Sequence, residues 1–162
     1  MGWLTELLRS IAPPATGIEV DEPDPIPVPV GASPGAFIRA IGVLVDPGAV
    51  LYWEGRASPV LNAWLDRLTL EPRPAVSVGI TPVADFHHVP LDSGVLDELA
   101  QRVDRPGAIG RRIRLHVRQC DRIILQWRRG FSREPVLLSR SLDPHRIHAF
   151  EALVRARPTP SR

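Results

Sequence analysis

The sequence predicts an α+β fold, a mixed but mostly antiparallel sheet with about three helices on one face. Three features carry that expectation. The β-rich runs 112–119, 122–128 and 136–139 follow one another with no helical segment between them, the pattern of adjacent antiparallel strands. The pairs Ser58-Pro59 and Asp143-Pro144 each place a capping side chain before a proline and an amphipathic run, which marks two helix starts. Asp46-Pro47-Gly48 splits two further β-rich runs with a strong turn signal.

In chain order, residues 2–11 read as a short amphipathic helix. Trp3, Leu4, Leu7, Leu8 and Ile11 share one face at a period of 3.6, with Thr5, Glu6, Arg9 and Ser10 opposite, and Pro13-Pro14 ends it. About ten residues are marginal as an isolated helix in water, so this face requires a burial site. Residues 12–35 read as an acidic, proline-rich tether, with seven of the 18 prolines lying in the first 35 positions. Proline favours polyproline II and removes backbone donors, and such a segment reaches roughly 70 Å if extended. Ile26, Val28 and Val30 alternate in a way that also fits a sheet edge.

A single α+β domain is expected over 36–157, with a disordered tail at 158–162. Runs 37–45 and 50–55 predict a hairpin around Asp46-Pro47-Gly48. The helix after Pro59 places Val60, Leu61, Trp64, Leu65 and Leu68 on one face. Run 76–80 predicts a third strand and 81–93 a loop. A helix over 94–103 turns Val95, Leu96, Leu99, Ala100 and Val103 inward. After the three strands of the C-terminal half, the last helix runs to about Ala156 and buries Ile147, Phe150, Leu153 and Val154. The predicted order is β-β-α-β-α-β-β-β-α, with no internal repeat.

Composition removes several function classes. All 20 basic residues are arginine, so no lysine is present for a Schiff base or a phosphate-binding P-loop. Cys120 is the single cysteine, which excludes an internal disulfide and a cysteine-built zinc site and fits a cytoplasmic protein. The N-terminus lacks the pattern of a secretory signal, and no apolar run approaches the ~20 residues of a spanning helix. No Gly-x-Ser-x-Gly elbow or glycine-rich dinucleotide turn occurs, Asp97 and Glu98 point apart on their helix, and no cofactor is called for.

The formal charge of +2 conceals a gradient. Residues 1–35 carry one arginine against five acids, a net −4, whereas residues 111–162 carry thirteen against four, a net +9. The basic end contains a regular row. Arg112, Arg114, His116 and Arg118 alternate with Ile113, Leu115 and Val117, which on a strand sets the basic side chains ~6.6 Å apart along one face. Arg128 and Arg129 extend the patch. Guanidinium groups in such a row pair bidentately with carboxylate or phosphate, so an acidic partner is expected: another protein, or nucleic acid. The acidic N-terminal segment is a third candidate, folding back over the basic end. Trp127 continues the apolar alternation of Ile123 and Leu125 and is expected in the core, although Trp127 and Phe131 lie among the arginines as base-stacking residues do.

The histidines offer a metal-dependent alternative. His87 and His88 with Asp85 are expected on a loop, and His145 and His148 lie three apart at the start of the last helix. Together they would supply nitrogen and oxygen ligands to a transition metal, but their spacing alone does not bring the pairs together. The leading expectation is a non-enzymatic binding or accessory module. It docks to a partner protein through Trp3, Leu4, Leu7, Leu8 and Ile11, and presents its arginine face to an acidic surface, with a membrane contact disfavoured by the sparse basic charge of the helix.

Overall fold

A computed structural model describes residues 24–70, 86–110 and 112–155. The expected helix over 2–11, most of the tether, the strand over 76–80, Asp85 and the tail at 158–162 lie outside the described residues. Among the described residues ten elements follow: β1 (Ile26–Val28), α1 (Pro34–Ile41), β2 (Val50–Glu54), α2 (Pro59–Leu68), β3 (Phe86–Pro90), α3 (Ser93–Val103), β4 (Arg114–Gln119), β5 (Arg122–Trp127), β6 (Val136–Leu138) and α4 (Pro144–Arg155). The strands form a six-stranded sheet in the order β1-β6-β5-β4-β2-β3, and every neighbouring pair is antiparallel. The fold is α+β, as expected.

Helix starts follow the capping chemistry in the sequence. Ser58 Oγ accepts from the Leu61 N–H at 3.2 Å, and Asp92 Oδ1 accepts from Val95 at 2.7 Å. At the start of α4, Asp143 Oδ1 accepts from the His145 N–H at 2.7 Å. The same device overturns the expected strand over 37–45. Ser33 Oγ accepts from Ala36 at 3.2 Å, Pro34 occupies the first turn, and the run is helix α1, burying Phe37, Ile38, Ala40 and Ile41. Asp46-Pro47-Gly48 therefore joins a helix to β2 and closes no hairpin, with Gly48 at φ 92.

Two further expectations change. The segment expected as a loop over 81–93 contains β3, and the C-terminal end of the expected tether belongs to the fold. Ile26, Pro27 and Val28 pair with Leu138, Leu137 and Val136. Arg140 holds the entering chain there, donating to Asp24 Oδ2 at 2.6 Å. Two predicted core positions lie at the surface: Val60 is 64% exposed and Leu153 48%.

One side of the sheet carries the core. Leu51, Trp53, Val89, Leu115, Val117, Leu125, Trp127, Val136 and Leu138 are buried beneath the helices. An aromatic cluster joins sheet to helices: Phe37 of α1 lies 4.4 Å from Trp127 and 5.9 Å from Phe150, and Phe131 packs on Trp53 and Trp127 at 5.8 and 5.4 Å between ring centroids. Trp127 also donates its indole N–H to the Glu134 carbonyl at 2.8 Å. Trp127 is core, as expected, and Phe131 joins it, so neither is a stacking surface for bases.

Candidate functional site

The side chains on the other side of the sheet are set by strand parity. Residues that alternate with the core positions form a transverse row, one from each strand: His88 pairs with Tyr52, Tyr52 with His116, His116 with Gln126, Gln126 with Leu137 and Leu137 with Pro27. The row is physically continuous where rings and amides meet. The Tyr52 and His88 rings lie 4.4 Å apart, Phe86 stands edge-on to His88 at 4.7 Å, and Gln126 Nε2 is 3.4 Å from His116 Nε2.

The arginines flank this row. Arg114 pairs with Glu54 in the ladder, and its guanidinium lies 3.6 Å from the Glu54 carboxylate. Arg118 pairs with Val50 on one side and Ile123 on the other. Arg128 directly follows Trp127, whose partner is Leu115, and lies exposed in the turn just past the end of β5, next in the chain to the Arg114 end of the ladder. Arg118 makes no ion pair among the described residues.

Two expected members leave the row. Arg112 precedes β4 and adopts φ 64, a left-handed conformation uncommon outside glycine, so the chain turns there before the strand begins at Arg114. Arg129 sits in the turn after β5, where its guanidinium lies 3.3 Å from Glu134. Strand alternation alone does not show where a strand begins, and both departures lie just beyond a strand end.

The far end of β4 is fixed by a three-residue network. Gln119 accepts from the Asp46 N–H at 2.9 Å and donates to Asp46 Oδ2 at 2.6 Å, and Arg146 of α4 donates to Asp46 Oδ1 at 2.7 Å. The Arg146 hydrogen bond, followed by that from Gln119, holds the Asp46 carboxyl below its usual range. This network ties the end of the basic strand to the α1–β2 connection and to α4. Cys120 follows in the tight β4–β5 turn at φ 55, exposed.

The histidine pairs do not converge. His87 and His88 are consecutive in β3, so their rings leave opposite faces. His87 is buried on the core side, with Nδ1 3.4 Å from Asp66 Oδ1 of α2, whereas His88 belongs to the transverse row. His145 is exposed on α4, and His148 lines a shallow pocket of about 300 Å³ with Ile26, Arg140, Ile147 and Glu151 at the β1 edge. β1 and β3 are the two edges of the sheet, separated by five strand spacings, or ~24 Å. A single ion spans no such distance. Among the described residues, no cluster of three or more His, Cys, Asp or Glu side chains is placed to hold a metal.

The partners of the arginines in the row, Tyr52, His88 and Gln126, escape a reading of single strands. Tyr52 between Leu51 and Trp53 does mark one outward position in β2, but only register brings it between His88 and His116. The five docking positions Trp3, Leu4, Leu7, Leu8 and Ile11 lie outside the described residues.

The described residues thus form an α+β fold with their helices layered on one side of the sheet and a polar, arginine-flanked sheet face opposite. Comparison with protein-family models, with curated proteins and with solved structures finds no match. Among the described residues, no helix is long and apolar enough to cross a membrane.

Proposed function

We propose that this chain is a non-enzymatic binding or accessory module of the cytoplasm, and that the sheet face bearing Arg114, His116 and Arg118, with Arg128 in the turn at its end, engages an acidic surface of a partner protein. One observation carries the reading: Arg114 and Arg118 share a face with Tyr52, His88 and Gln126, while the core side chains of the sheet point the other way, into the helical layer. A sheet face is flat and its side chains stand nearly perpendicular to it, so guanidinium groups on one face present their donors to one plane. Planar guanidinium pairs with carboxylates bidentately, and the half-buried Tyr52 adds aromatic contact area with a polar tip, arginine and tyrosine both being enriched at protein interfaces. The apolar face of Trp3, Leu4, Leu7, Leu8 and Ile11 gives the reading a second contact, a helix entering a groove of the same partner.

A titration at low ionic strength tests it. A fluorescent poly-glutamate peptide and a single-stranded oligonucleotide of equal charge are each added to the full chain. Saturable binding of the peptide that weakens with salt supports the proposal. Binding of the oligonucleotide alone, with a steep logarithmic salt slope, would replace it with a nucleic-acid reading.

A further inference from the structure

Two polar residues of this face are almost fully buried: His88 is 3% and Gln126 2% exposed, on the side away from the helix-covered core. Their neighbours Tyr52, Phe86 and Leu137 are half-buried, which gives the face an apolar floor around its polar row. Resting on the reading of this face as a binding surface, we infer that residues 1–23 of the same chain seat across it, and that an acidic partner engages the arginines by displacing them.

Charge, reach and amphipathicity choose this occupant. Residues 1–23 carry Arg9 against Glu6, Glu19, Asp21 and Glu22, whereas Arg114 and Arg118 lie on the face and Arg128 in the turn at its end. The described chain begins at Asp24, held by Arg140 at the β1 edge. From there residues 12–23, if extended, reach ~37 Å at ~3.1 Å per residue, more than the ~24 Å width of the sheet. The apolar stripe Trp3, Leu4, Leu7, Leu8 and Ile11 then meets Tyr52, Phe86 and Leu137, and the acids of the tether meet the guanidiniums. Tethering makes the contact intramolecular, with an effective concentration in the millimolar range, so weak contacts suffice to hold it. Displacement by a partner frees the helix stripe for a second contact, which turns one acidic ligand into a signal at both ends of the chain.

Carbethoxylation of histidines in the full chain, read by mass spectrometry, tests the inference against a Leu7→Asp/Leu8→Asp variant. In the unmodified chain His88 and His116 react slowly and His145, exposed on α4, reacts fast. In the variant His88 and His116 accelerate by about tenfold or more, the change in open population that about 1.4 kcal/mol of lost docking gives. His87, buried on the helix side, stays slow and reports that the domain is folded. Equal rates at His88 and His116 in both chains would overturn the inference. If His87 accelerates too, a nitroxide on Cys120 of the unmodified chain decides: a broadened Trp3 indole resonance supports the seat, and an unaffected one overturns it. Peptide titration separates the two claims. An unchanged footprint beside arginine-dependent binding of poly-glutamate leaves the face reading intact and removes only the seat. An accelerated footprint with no arginine-dependent binding leaves the seat and removes the acidic partner.

Discussion

The backbone N–H of Gly35 donates to Asp104 Oδ1 at 2.7 Å, so α1 and α3 approach with no room for a side chain between them. A Cβ on Gly35 would lie 2.2 Å from Asp104 Oδ2 and 2.6 Å from the Ala100 carbonyl oxygen. Gly35→Ala therefore destabilises the domain, by about 1–3 kcal/mol as overpacking does. Denaturant unfolding checks this: the midpoint falls while the slope is unchanged. An unaltered midpoint would show that α1 and α3 separate freely.

Asp46 gives the domain a pH dependence of known sign. Its carboxyl is held below its usual range by Arg146 first and Gln119 second, so the folded state favours the charged form. The resulting stability is present above the unfolded-state carboxyl pKa and is lost as pH falls through the lower folded value. Asp46→Asn removes this dependence, and the gap between the unfolding midpoints of the two chains narrows on acidification. A gap that widens in acid would contradict the assignment.

Trp127 and Arg129 are two residues apart and have opposite roles. Trp127 is buried, packed at a tilt against Phe37 and bonded to the Glu134 carbonyl, whereas the Arg129 side chain is 74% exposed beside that of Glu134. Trp127→Ala costs about 3–5 kcal/mol, the range for emptying a large aromatic site. Arg129→Ala stays within about 0.5 kcal/mol, as exposed substitutions do. Thermal unfolding separates them, and a Trp127→Ala chain of normal stability would return Trp127 to the surface.

Much of this fold was legible from local chemistry. Ser58-Pro59 and Asp143-Pro144 mark helix starts that the side chains indeed cap, whereas the Asp92 cap of α3 lay within the segment expected as a loop. The strand parity of Leu115, Val117, Leu125 and Trp127 gives the buried face of β4 and β5. The failures share a cause. The apolar run after Ser33 is short enough to suit either period, and the capping pair Ser33-Pro34 decides for helix over the β-rich composition. β3 opens with Phe86-His87-His88, whose polar pair reads as a loop, and only pairing with β2 makes it a strand. The basic row was visible in Arg114, His116 and Arg118, because alternation is local. Its junction with Tyr52, His88 and Gln126 was not, because register between strands distant in sequence is set by the whole sheet. The same locality hid the separation of the two histidine pairs at opposite sheet edges.

The arginine face is the central claim, and a matched pair of triple variants tests it most directly. Arg114→Gln, Arg118→Gln and Arg128→Gln together neutralise the sheet face and the turn at its end. Arg39→Gln, Arg102→Gln and Arg155→Gln remove the same charge from helices, where the three pair with Asp97, Glu98 and Glu151. Titrated with poly-glutamate at low salt, the sheet-face variant loses about tenfold or more in affinity, or ~1.4 kcal/mol and upward, while the helix variant keeps the unmodified value. Equal losses in both would show that only net charge matters, and would contradict a defined binding face.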